Sequence, residues 1–149
     1  MRRALPLLLL ALACLSAKEP PPAAAAPGKP DPAKVRASIA AHLGRPYVRG
    51  AVGTKSFDCS GFVWRVMTDA GILIKRTSAR KLFICLPETP ESGRYDFGTV
   101  VFFDDLGHCG IVRDAGGFYH AATSHGTILS PFNDYWKPKV CGFRRMPAP

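Results

Sequence analysis

The chain has 149 residues, enough for one domain with tails, and its 47% hydrophobic and 21% charged content is that of a core-forming globular protein rather than a disordered or fibrous one. The formal charge of +9, from 20 Lys and Arg against 11 Asp and Glu, directs attention to polyanions: nucleic acid, anionic lipid or an acidic wall polymer. No zinc-finger spacing, aromatic RNA-reading motif or basic helix accompanies that charge, so nucleic acid is set aside as a partner.

Met1-Arg2-Arg3 and the leucine-rich run from Ala4 to Ala13 have the charged start and short apolar stretch of an export signal, assigned here to residues 1–17. The stretch is too short to span a bilayer. Ala11-Leu12-Ala13 admits cleavage in front of Cys14, which would resemble bacterial lipoprotein processing and leave Cys14 to be acylated. One departure is that Leu12 stands a place late, with Ala11 where the leucine usually falls. The expected location is therefore the periplasm or cell envelope, with membrane contact only through such an anchor. Residues 18–32 are rich in Pro and Ala and poor in large apolar side chains, the composition of an extended linker, and the domain is expected over residues 33–149.

A helix is expected after Pro32, with Val35, Ile39 and Leu43 as its apolar line and Gly44 as its stop. A loop, Arg45 to Gly50, leads to Phe57-Asp58-Cys59-Ser60-Gly61-Phe62-Val63. From Cys59 onward, Phe62, Val63, Val66, Met67 and Ala70 repeat at helical spacing and Gly71 closes the run. Asp58 is the natural N-cap, which puts Cys59 at the first helical position. Free N–H groups and the positive end of the helix dipole favour a thiolate there. A half-buried structural cysteine is the plain alternative. Ala79 to Leu86 reads as a further short helix, stopped by Pro87.

Beyond Gly98 the character changes to β. Strands are expected at Thr99 to Phe103, His108 to Arg113, Phe118 to Ala122, Thr127 to Ser130 and Val140 to Arg145, with turns at Asp104-Asp105, Asp114 to Gly117 and His125-Gly126. Helices first and an antiparallel meander afterwards make an α+β domain.

A nucleophilic cysteine needs a base and a group to orient it. Of the 4 histidines, His42 in the first helix and His125 in a turn read as surface or structural residues, whereas His108 and His120 fall on neighbouring strands. The competing use of the same atoms is a zinc site from Cys59, His108, Cys109 and His120, but structural sites favour close Cys/His pairs and Cys59 stands alone. No metal and no cofactor is expected.

Taken in order, these segments resemble the NlpC/P60 family of cell-wall peptidases, within the papain-like cysteine peptidases. Gly44-Arg45-Pro46-Tyr47-Val48-Arg49-Gly50, Phe57 to Val63, Arg76-Thr77-Ser78, Gly107-His108-Cys109-Gly110-Ile111-Val112, Phe118-Tyr119-His120-Ala121, Tyr135-Trp136 and Gly142-Phe143-Arg144-Arg145 are each similar to a block of that family. The resemblance implies Cys59 as nucleophile, His108 as base and His120 as the orienting third member. It implies the Tyr47 hydroxyl near the oxyanion beside the Cys59 N–H, and Asp58 and Ser60 as holders of a peptide's polar groups. It further implies a monomer acting on peptidoglycan stem peptides at the bond between the γ-carboxyl of D-glutamate and the diamino acid, with basic charge holding it to the anionic wall. A wall-binding module without catalysis, or an amidase or acyltransferase on the same scaffold, are the alternatives.

Three positions depart from the pattern. Ala51 replaces a glycine, Thr99 an aspartate at the entry to the first strand, and Cys109 a small apolar residue. Strand alternation turns Cys109 away from the side of His108, which reads as a core or disulfide position outside the chemistry. A tight hairpin around Gly116 also leaves His120 opposite a residue beyond His108, so a bulge or strong twist has to close the gap.

Overall fold

The computed structural model describes residues 29–51 and 53–149. The export signal, Cys14 and the linker up to residue 28 lie outside the described residues. Among the described residues no helix is long and apolar enough to cross a membrane.

Three helices precede the sheet, each started by a side-chain cap. Helix α1 is Pro32–His42, with Asp31 accepting from the Ala33 N–H and Pro32 in the first turn. Helix α2 is Cys59–Asp69, capped by Asp58, and α3 is Ala79–Cys85, capped by Ser78. The apolar line of α1 differs from expectation at one place. Val35 and Ile39 are buried, but Leu43 follows the helix and is 41% exposed, while His42 is buried instead. His42 stays there because its Nε2 donates to Asp69 of α2 at 3.0 Å and its ring meets Phe57 edge-on. Ser38 donates to the same carboxylate at 2.7 Å, so polar contacts join α1 to α2 where an apolar contact was expected.

The strands are β1 (Val100–Phe103), β2 (His108–Asp114), β3 (Gly117–Ala122), β4 (Gly126–Pro131) and β5 (Val140–Arg144). They form one antiparallel sheet in the order β4-β3-β2-β1-β5. The α+β class and the meander agree with the sequence reading.

Period-2 alternation gives the sheet two apolar faces. Val100, Phe102, Cys109, Ile111 and Ala121 face the helices and share a core with Phe62, Val63, Val66 and Met67. Val101, Phe103, Val112 and Phe118 face the other way and pack with Phe132, Phe143 and Trp136. Thr99, where the family has an acid, is buried and donates its hydroxyl to the Gly93 carbonyl at 3.0 Å, so the strand entry is held without a carboxylate. The outer side of β4 is clasped by the segment after α1. Gly44 N–H donates to the Thr127 carbonyl at 2.8 Å, and Thr127 N–H to that of Arg45 at 2.9 Å.

Candidate active site

Asp58 sits in extended backbone (φ −90°, ψ 179°) and its carboxylate accepts from the Gly61 N–H at 2.6 Å, so the helix begins at Cys59 as the cap argument requires. The same carboxylate accepts from the Gly50 N–H at 2.9 Å and from Arg76 at 2.6 Å, with the Ser60 hydroxyl 3.3 Å away. Arg76 also donates to Ser60 Oγ at 2.9 Å and to the Thr77 carbonyl. Asp58, Ser60 and Arg76 therefore form one knot around the first turn of α2. Gly61 is required by that knot: a Cβ there would stand 2.7 Å from the Ala51 carbonyl and 2.9 Å from the Asp58 carboxylate.

Cys59 is 8% exposed, and its Sγ lies 3.9 Å from the carbonyl of Gly107, the residue before His108. Its thiol is lowered to about 5. A hydrogen bond from the Cys109 thiol contributes most, burial opposes, and the hydrogen bond and charge of His108 add to the lowering. Cys109, wholly buried, is pushed well up by that same contact and by burial, so it stays protonated and donates. Tyr47, bridged to Phe57 through backbone, is raised by burial first and then by the negative charge of Cys59 and Asp58.

The reading of Cys109 as a core residue holds, and what changes is its relation to the thiol. Its alternation is as expected, since it packs in the helix-side core while His108 meets Phe103 and Trp136 on the opposite face. Cys59, however, arrives from the helix side at the end of the sheet, beside the Gly107 carbonyl, and its thiol is lowered by Cys109 as well as by His108. Alternation away from the side of His108 is alternation toward the thiol. The disulfide alternative is also overturned: Cys59, Cys85, Cys109 and Cys141 are all free.

His108 Nε2 is 2.8 Å from His120 Nδ1. The bulge that the hairpin arithmetic called for is present, between Val112 and Asp114. Tyr119 pairs with Ile111 and Phe118 with Val112, so the register carried one residue further sets His120 across from Gly110. His108 is then a diagonal neighbour two residues on, within reach of an imidazole. Gly110 leaves the space, because a Cβ there would meet the Tyr119 carbonyl at 2.7 Å and His120 Cβ at 3.1 Å. An unbroken register from the Asp114–Gly117 pair would instead have set His120 across from Ile111, on the face opposite His108. With Nε2 engaged by His120, the nitrogen of His108 left for Cys59 is Nδ1.

His120 is 1% exposed, and its pKa is lowered to about 3, by burial first and then by the charge of His108 and His125. It is a neutral ring at working pH. Its Nε2 meets Ser130 Oγ at 2.8 Å, and Trp136 stacks on His108 and stands edge-on to His120. A cavity of about 490 Å³ opens beside the pair, lined by Asp104, His125 and Tyr135 among others. Among the described residues no group of three or more His, Cys, Asp or Glu side chains is placed to hold a metal ion.

All six sequence-derived site positions within the described residues, Tyr47, Asp58, Cys59, Ser60, His108 and His120, thus gather at one end of the sheet. Arg76, Cys109, Ser130 and Trp136 join them without having been assigned there. Two lay in plain view in family-like blocks: Arg76 in Arg-Thr-Ser and Trp136 in Tyr-Trp. Ser130 carried no signal of its own.

The model of the NlpC/P60 family matches residues 44–145. A probable peptidoglycan endopeptidase, LytE of Bacillus subtilis, is 32% identical over 114 residues, covering 75% of this chain and 34% of the relative. A gamma-DL-glutamyl hydrolase of the same organism is 34% identical over 112 residues, covering 70% of this chain and 27% of the relative. The chain thus spans about a third of the length of these relatives or less. Among solved structures, a lipoprotein-like NLP/P60 protein of Staphylococcus aureus superposes with a TM-score of 0.69 at 27% identity, covering 80% of this chain and 43% of that one. With the family pattern matched over most of its length and a cysteine-histidine-histidine array at its centre, the chain belongs to the NlpC/P60 family.

Proposed function

We propose that this chain is a cysteine peptidase that hydrolyses peptidoglycan stem peptides, at the bond joining the γ-carboxyl of D-glutamate to the diamino acid. The observation that carries it is Cys59 at the start of α2 against the Gly107 carbonyl, with the adjoining His108 joined to His120 at 2.8 Å and the thiol lowered to about 5. The two relatives supply the substrate class: one is named for peptidoglycan and the other for a γ-glutamyl bond.

Cys59 enters the reaction as a thiolate paired with the His108 imidazolium. Its sulfur attacks the scissile carbonyl carbon, and the negative charge that develops on oxygen is met by the Cys59 N–H, one of the donors a helix start leaves without a helical acceptor, and by the Tyr47 hydroxyl. The C–N bond breaks as His108 Nδ1–H gives its proton to the leaving amine. Water, deprotonated by the now neutral His108, then opens the thioester and releases the acid. His120 holds the ring of His108 throughout, while Asp58, Ser60 and Arg76 fix the first turn of α2 and offer polar groups to the peptide. The export signal and a lipid on Cys14 would carry the domain to the envelope, where its positive charge favours the anionic wall.

The test is mass spectrometry of purified muropeptides. The wild type should shorten them at the γ-glutamyl bond and Cys59→Ala should leave them intact. Intact products from both would reject the reading, and products cut elsewhere would reject the choice of bond.

A further inference from the structure

We infer that Ser130 is a positioning residue that fixes the tautomer of His120, accepting the Nε2–H so that the bare Nδ1 faces His108.

The three side chains stand on three adjacent strands in one diagonal line. His108 lies two residues before Gly110, the position across from His120, and Ser130 lies two residues beyond Ile128, which pairs with His120. Each step across a strand is therefore the same i, j±2 offset, and period 2 keeps all three on one face. Both contacts are 2.8 Å long, and His120 and Ser130 are both buried, at 1% and 8% exposure.

Proton counting assigns the direction. As an imidazolium, His108 carries N–H on both nitrogens, and its Nε2–H needs an acceptor. His120 Nδ1 accepts only if it is bare. A neutral His120 then has its one proton on Nε2, and in a buried site that proton also requires an acceptor. Ser130 Oγ stands there at 2.8 Å. Without it, His120 would shift its proton to Nδ1 and present a donor to His108, which suits a neutral base and opposes the charged one. Ser130 thus favours the thiolate–imidazolium pair from two residues away. The titratable and charged groups facing the pair are Cys109 from β2, Asp58 and Tyr47 from the start of α2 and the loop before it, Arg76 from the segment after α2, His125 and Asp104 from the turns beside His120, and Tyr135 from the segment after β4. None of these changes in a Ser130 variant.

This rests on the peptidase reading only for its meaning, since the test reads the resting thiol. The rate of Cys59 alkylation by iodoacetamide is followed against pH in wild type, Ser130→Ala and Ser130→Thr. Ser130→Ala should move the midpoint of the profile up by about one pH unit, the tenfold size of a lost hydrogen bond to the charged His108, so that the rate at pH 6 falls to roughly half of wild type and the two profiles meet near pH 9, where the thiol ionises unaided. Ser130→Thr, which keeps the hydroxyl, should restore the wild-type profile. Ring ¹⁵N shifts of wild-type His120 should show Nε2 protonated and Nδ1 bare, a readout that needs no variant to fold. A profile of Ser130→Ala superimposable on wild type, or a proton found on Nδ1, overturns the inference. A shifted profile in a protein whose wild type leaves muropeptides intact would reject the peptidase reading while leaving the role of Ser130 standing.

Discussion

At the scale of single residues, the site turns on which groups touch the sulfur of Cys59. Cys109 is the neighbour that departs from the family and contributes most to lowering the thiol. Cys109→Val removes that donor while keeping an apolar side chain of similar size in the core. The sign is fixed by the direction of the shift: the thiolate is present above about pH 5 and lost as pH falls through it, so removing a stabilising donor moves the midpoint upward. Alkylation against pH should show the Cys109→Val midpoint raised by roughly one pH unit, the size of one hydrogen bond to a charged group. An unchanged midpoint would leave His108 and the helix start as sufficient causes. Cys59, His108 and Asp58 were legible because each carries a local signal: a cap, a first helical position, an imidazole at a strand start. Cys109 and Ser130 were not, because their meaning depends on which face of the sheet the helix approaches and on a diagonal offset between strands. Neither quantity is written in the spacing of one segment.

At the scale of elements, α1 and α2 are joined through a single carboxylate. Asp69 accepts from Ser38 at 2.7 Å, His42 at 3.0 Å and Arg65 at 2.7 Å. Burial pushes Asp69 up, and these hydrogen bonds outweigh it and hold the group below its ordinary value of 3.8. Stability from this junction is therefore full above the unfolded value near 3.8 and drains away as pH falls toward the lower folded one. Asp69→Asn should cost about 1–2 kcal/mol at neutral pH. Thermal melts should also show a flatter dependence on pH below 5 than wild type; parallel curves for the two proteins would contradict this. The elements themselves were read well. Caps at Asp58 and Ser78, a stop at Gly71 and dense β-forming runs are local causes, and each produced its element within a residue or two. The exception was the end of α1, where apolar periodicity nominated Leu43 and a polar tie to Asp69 buried His42 instead.

At the scale of the whole molecule, the parts of the site come from distant stretches of chain. Cys59 meets Gly107 across 48 positions, His108 meets His120 across 12, and His120 meets Ser130 across a further 10. The β4 strand that ends this line is held from outside by Thr127, whose hydroxyl contacts the His42 carbonyl across 85 positions. Order of the blocks along the chain was what made this assembly readable, since no single block specifies it. The clasp at Thr127 also has a consequence in time. Helix α2 can form within microseconds from local contacts, but the thiol beside it is poised only after β2, β3 and β4 have paired and the loop after α1 has closed over the last of them. Thiol reactivity is therefore a clock for the end of folding. In refolding from denaturant, rapid alkylation of Cys59 at pH 6 should return with the slowest resolved phase and lag the recovery of helical circular dichroism; the two signals returning together would mean that the site is complete as soon as its helix is.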